Sequence, residues 1–149
     1  MTRRVFLDTN EWIGGLSTRS GKAAVTLRNL ILDGSVRPVT CQRQIRQALI
    51  VIAQSPRMDP MRHGYALLLL LHDLLLPNRT KADMVPDPDK AQVLAARSRV
   101  PDPEYAWWLV LAEREHVEII SEDRHLHDAQ TDRRVWTAQA FLADLAETL

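Results

Sequence analysis

Two carboxylates stand directly after apolar runs in this sequence. Asp8 follows Val5-Phe6-Leu7, and Asp123 follows Val117 to Ile120 by way of Ser121-Glu122. Each apolar run reads as a buried strand, and each acid falls just beyond the strand's end. In a parallel sheet the carboxyl ends of the strands share one edge, so side chains beyond them converge even when far apart in sequence. Two carboxylates about 4 Å apart at an effective dielectric near 20 repel by roughly 4 kcal/mol. Such a pair calls for a proton or a cation. Hard oxygen ligands without a cysteine cluster select Mg²⁺ or Mn²⁺. Cys41 is the only cysteine, which rules out an intramolecular disulfide or a Cys-based cluster and fits a reducing compartment. His63, His72, His116 and His127 show no zinc-like spacing.

The elements that must position these acids follow from local pattern. Arg4 to Leu7 is expected as the opening strand. Ala23, Leu27, Leu30 and Ile31 fall at helical spacing between Ser20 or Gly21 and Leu32, and Asp33-Gly34 stops that helix. Val36 to Val39 reads as a short strand weakened by Pro38. Thr40 is placed to cap a helix running to about Ala53, with Ile45, Ala48, Leu49 and Ile52 as its inward stripe. Gly64 to Leu76 is expected as a helix apolar on nearly all sides. Val85-Pro-Asp-Pro-Asp-Lys-Ala91 is echoed by Val100-Pro-Asp-Pro-Glu-Tyr-Ala106. Both read as loop-to-helix junctions, with Asp as cap and Pro in the first helical position. A helix from Pro103 to about Glu115, a strand from Val117 to Ser121, a strand from Arg134 to Thr137 and a helix from Gln139 to Leu149 complete the chain. Alternating strands and helices favour a parallel sheet covered on both faces, the α/β class.

At 149 residues and 46% hydrophobic, one continuous core is expected and no linker divides it. The apolar start ends too early for a signal-peptide core, and the longest apolar run, Ala66 to Leu71, is too short to span a bilayer. A cytoplasmic protein, neither secreted nor membrane-inserted, is expected. The formal charge is zero but uneven. Residues 1 to 65 carry 10 basic and 4 acidic side chains, and the remainder carries 9 and 15. A fold that sets a basic surface beside an acidic cleft can hold a polyanion over a metal.

Three segments carry a family resemblance. Val5-Phe6-Leu7-Asp8-Thr9-Asn10-Glu11-Trp12-Ile13 resembles the opening strand and Asp-Thr-Asn signature of the PIN-domain nucleases, which include the toxins of VapC-type toxin–antitoxin pairs. Val117 to Leu126 is similar to the strand whose end carries another catalytic aspartate. Arg134 to Leu142 is similar to the closing strand and its Thr-led helix. The three span nearly the whole chain, so the resemblance covers a single domain over 1–149.

That resemblance implies a three-layer α/β/α, Rossmann-like PIN domain with a central parallel sheet, and metal-dependent cleavage of single-stranded RNA. It implies Asp8 and Asp123 as metal ligands. The acid that opens the helix before the second of these strands is matched by Glu104, with Asp102 close enough to compete. The family's helical glutamate falls at Gln47, and no acid occurs from Gln42 to Ala53. Glutamine offers an oxygen but no charge. Thr9 and Asn10 are expected to orient Asp8 or touch a phosphate, and Ser121 to do the same for Asp123. Arg124 is placed to grip a phosphate, with Arg43 and Arg46 extending an RNA-binding surface. His125 stands where relatives often place another acid. An antitoxin partner and a homodimer, formed through Tyr65 to Leu76 and the paired tryptophans, are further implications.

Quieter readings attach to the same residues. Asp8 and Asp123 can cap the turns that follow them, Asp102 can be a plain N-cap, and Glu104 suits a first helical turn without any metal. Trp107 and Trp108 point about 100° apart, which suits one in the core and one at a surface. Gln47 and His125 leave open a second class of function, a degenerate PIN-like domain that binds RNA or a protein partner without cutting. A phosphatase or phosphotransferase is a third. Asp8-Thr9-Asn10 lacks the second aspartate that an aspartyl-phosphate route would need.

Overall fold

The computed structural model describes residues 2–16, 22–54 and 81–148. Among the described residues, five parallel strands form one sheet: β1 (Arg3–Leu7), β2 (Val36–Thr40), β3 (Asp83–Met84), β4 (Glu118–Ile120) and β5 (Val135–Trp136), in the order β3-β2-β1-β4-β5. The described helices are α1 (Thr9–Leu16), α2 (Lys22–Leu32), α3 (Gln42–Gln54), α4 (Lys90–Ala96), α5 (Pro103–Glu115), α6 (Arg124–His127) and α7 (Ala138–Thr148).

Alternation along β1 shows why the strand is apolar without a break. Phe6 faces a core shared with Val39, Ile119 and Trp108, whereas Val5 and Leu7 face a second core with Leu27, Ile120 and Phe141. Helices α4, α5 and α6 supply the first core, and α2 and α7 the second, so the sheet is sandwiched in three layers. A third cluster packs α3 against α1 through Ile45, Ala48, Ile52, Trp12 and Ile13. Strand β1 has β2 on one side and β4 on the other, which makes its carboxyl end the point where the winding changes direction. A crevice opens at such a point.

Most expected boundaries hold within one or two residues. Gly34, at φ 86°, and the Ser35 N–H donating to Asp33 Oδ1 at 2.9 Å end α2 as Asp33-Gly34 predicts. Pro38 sits within β2, opposite Val5 in the parallel ladder. Trp108 is fully buried and Trp107 half-buried.

Two capping expectations fail, and for one reason. Thr40 does not cap α3: it ends β2, and its hydroxyl donates to Gln44 Oε1 at 2.7 Å. The open N–H at Arg43 instead donates to Asp87 Oδ1 at 3.0 Å, across 44 residues. Asp87 is therefore not the cap of the helix after it. Asp89 takes that position, without a side-chain cap bond. The second copy of the echo behaves as expected, with Asp102 as N-cap and Pro103 at the first position of α5. Strand β3, two residues long, leaves no periodic trace and was not anticipated. The expected helix over Gly64 to Leu76, and the dimer contact drawn from it, lie outside the described residues. No described helix is long and apolar enough to cross a membrane.

Candidate active site

Asp8 is where β1 becomes α1. Its N–H donates to the Ile120 carbonyl at 2.9 Å, and its own carbonyl accepts from Glu11 at 2.9 Å, so the residue is tied to β4 and begins the helix. Ser121, one residue beyond β4, donates its hydroxyl to Asp8 Oδ2 at 2.8 Å. Ser121 Oγ in turn accepts from the Asp123 N–H at 2.9 Å. One buried serine thus links the two expected aspartates. Burial raises the Asp8 carboxyl above its ordinary range, and Asp123 and Asp102 add to the rise against the bonds from Ser121 and Thr9.

Asp123 is held differently. Its Oδ1 accepts from the His125 N–H at 2.8 Å, which makes it the N-cap of α6, and its Oδ2 accepts from the Tyr105 hydroxyl at 2.5 Å. Burial pushes this carboxyl up, but those two bonds and the nearby His125 and His127 outweigh it, and the net shift is downward. The Tyr105 hydroxyl is raised by burial and by its bond to Asp123, so it stays protonated as a donor.

Beside this pair lies a cleft of about 190 Å³, lined by Asp8, Asn10, Gln47, Asp102, Glu104 and Tyr105 among others. Gln47 reaches it from α3, and its Oε1 accepts from the Thr9 hydroxyl at 2.6 Å. Asp102 Oδ1 accepts from the Glu104 N–H at 2.9 Å. Glu104 Oε1 accepts from Arg43 Nη2 at 2.9 Å.

Comparison with known proteins comes from structure alone. No family model and no curated protein matches the chain by sequence. Among solved structures, PAE2754 from Pyrobaculum aerophilum superposes with a TM-score of 0.65 at 16% identity, over 98% of this chain and 90% of that one. VapBC2 from Rickettsia felis, solved with a DNA fragment from its promoter, gives 0.63 at 8% identity over 90% and 98%. FitAcB from Neisseria gonorrhoeae gives 0.62 at 17% identity over 91% and 98%. The chain has the PIN-domain fold.

Within this PIN fold, the structure gathers Asp8, Thr9, Asn10, Gln47, Asp102, Glu104, Ser121 and Asp123 at the carboxyl edge of the sheet. Neither Arg46 nor Arg124 lines the cleft. Arg46 is exposed on a separate groove between α3 and the stretch from Met84 to Asp87. The Arg124 side chain is almost wholly exposed, and its nearest acidic partner is Asp128 at 3.8 Å. Arg43 is close, but its guanidinium is bound to Glu104 and lies over the Trp107 ring at 3.8 Å.

Three polar residues escaped the sequence reading. Tyr105 stands next to Glu104 and carries no signal of its own beyond that adjacency. Gln44 is buried and ties β1 to α3, donating to the Leu7 carbonyl at 2.6 Å while accepting from Thr40. Its place four residues after Thr40 was the available sign. Glu11 is buried inside the opening signature, and its carboxyl is pushed up to about 7 by burial, Glu122 and Asp8. An acid directly before the apolar Trp12-Ile13 was the clue.

Proposed function

We propose that this chain is a metal-dependent endoribonuclease that cleaves single-stranded RNA at the carboxyl edge of β1 and β4, and that it acts as the toxin of a toxin–antitoxin pair. The observation that carries the reading is the Ser121 bridge, which holds the buried Asp8 beside Asp123 by neutral donors. Donors of this kind fix the carboxylates in place without cancelling their charge as an arginine would.

The donor set suits a hard ion that retains much of its water. Among the described residues, no three acidic, histidine or cysteine side chains form a ready cage. Mg²⁺ is commonly held by one or two carboxylates, with water and substrate phosphate completing the shell. Asp8 and Asp123 would hold Mg²⁺ or Mn²⁺, with Asp102 beside them. When bound, such an ion polarises water and offsets charge on the phosphoryl oxygens. Ser121 and Tyr105 fix the two aspartates through hydroxyl hydrogen bonds. The Thr9 bond to Gln47 fixes the facing wall of the cleft. Asn10, exposed at the rim, is free to donate to a phosphate oxygen. The antitoxin reading rests on the likeness of this fold to VapBC2 and FitAcB.

The test is cleavage of single-stranded RNA by the purified chain with Mn²⁺, set against Asp8→Asn and Asp123→Asn. Full activity in both variants would end this reading. The neutral Gln47 and the Arg43-bound Glu104 favour one other reading, a PIN-like domain that binds RNA or a protein partner without cutting. Retained RNA binding with no Mn²⁺ uptake and no turnover would select it.

A further inference from the structure

Arg43 lies one helical turn before Gln47 on α3, at the flank of the cleft. Its main chain is fixed by the bond to Asp87, its Nη2 donates to Glu104, and its guanidinium plane sits 3.8 Å from the Trp107 ring centroid. Its Nε is buried and makes no hydrogen bond among the described residues. Stacking and a fixed backbone reduce the freedom this side chain would lose on binding, and a guanidinium has donors to spare for a second oxyanion. Glu104 is the cleft acid held by a cation. Asp8, Asp123 and Asp102 accept from hydroxyl or backbone donors instead.

We propose that Arg43, rather than a second metal ion, is the cation on the Glu104 side of the cleft, and that it grips a phosphate of the bound strand in exchange for Glu104. The proposal rests on the RNA-binding part of the function given above and is independent of cleavage. Glu104 is then a competitor for Arg43 and not a metal ligand. The two roles predict opposite signs. Removing the charge of a competitor frees the arginine and tightens RNA binding. Removing the charge of a metal ligand costs an ion and loosens it.

The experiment uses the full chain and a short, fluorescein-labelled single-stranded RNA of mixed sequence. Anisotropy is read across a salt series in EDTA, and Mn²⁺ binding is counted separately by calorimetry. A single phosphate contact contributes about threefold to affinity over an ordinary salt range, and about 0.7 to the slope of log K against log salt for a single strand. Arg43→Gln is expected to bind RNA about threefold more weakly, with a slope shallower by about 0.7. Arg43→Lys, which keeps the charge, recovers most of the slope. Glu104→Gln is expected to bind RNA about threefold more tightly in EDTA, and to take up Mn²⁺ with unchanged stoichiometry.

A Glu104→Gln chain that loses an ion or binds RNA more weakly overturns the proposal. So does an Arg43→Gln chain with unaltered affinity and slope, or a wild-type chain that binds no RNA. Circular-dichroism melts of the variants keep a folding defect from passing for a binding effect. Loss of the cleavage reading would show separately, as activity that ignores Asp8→Asn and Asp123→Asn, and would leave these binding results standing.

Discussion

The two edges of the sheet treat the same chemical group in opposite ways. At the amino edge Glu118, Asp144 and Asp83 meet arginine. Arg3 joins Glu118 at 2.7 Å and Asp144 at 2.6 Å, while Arg4 and Arg37 converge on Asp83 at 2.7 and 2.5 Å. At the carboxyl edge Asp8, Asp102 and Asp123 accept from serine, tyrosine and backbone donors. Ion pairs cancel charge as they fix position. Neutral donors fix position and leave the charge in place, so the first edge is built for holding the strands together and the second for receiving a cation. Glu104, bound by Arg43, is the carboxyl-edge acid treated in the amino-edge manner.

The sharpest way to break this comparison is to remove charge at the carboxyl edge. Asp8→Asn and Asp123→Asn should each lower RNA cleavage by at least about a hundredfold, since even outer partners of a metal ligand commonly cost tenfold to a hundredfold. The metal-free Asp8→Asn chain should melt no lower than wild type, because it loses a desolvated charge and its repulsion. A clear drop in melting temperature would mean that Asp8 is bound into the fold as Asp83 is.

Glu11 gives the next largest effect. In the folded chain it holds its proton up to about 7, against an ordinary value of 4.5. The native state therefore binds more protons than the unfolded chain across that window, and this contribution to stability is lost as pH rises through it. Glu11→Gln should flatten the pH dependence and gain roughly 2 kcal/mol near pH 8. Urea unfolding at about pH 5 and about pH 8 reads it directly. A variant with the wild-type slope would place the titration elsewhere.

Tyr105→Phe tests the neutral donor on Asp123. Loss of the hydroxyl should lower activity about tenfold, and it should move the acid limb of the pH–rate profile to higher pH, because the bond that holds the Asp123 carboxyl down is gone. A profile that keeps its acid limb would show the tyrosine to be packing only.

The smallest effect belongs to the amino edge. Asp83→Asn leaves Arg4 and Arg37 without their shared partner. Exposed pairs of this kind contribute about 1 kcal/mol or less, or about 2 to 4 °C of melting temperature in a chain of this size. The bonds from the two arginines outweigh burial and hold the Asp83 carboxyl below its ordinary range, so its contribution is present at neutral pH and lost in acid. Cleavage should be unaffected.

The positions of the acids were legible in the chain itself. Apolar runs ending at Asp8 and just before Asp123, the Asp102-Pro103 cap and the Asp33-Gly34 stop are local patterns, and local patterns set strand ends and helix starts. A parallel sheet then brings the two aspartates to one edge. Only the tertiary structure decided what holds each group, because the partners lie far apart in sequence: Tyr105 and Asp123 are 18 residues apart, Thr9 and Gln47 are 38, Arg43 and Glu104 are 61, and Ser121 and Asp8 are 113. Such pairs depend on how the crossovers pack, and no spacing along the chain records them. Hence Asp87 left its own helix for the open N–H of α3, and Arg43 came to rest on Glu104 over Trp107.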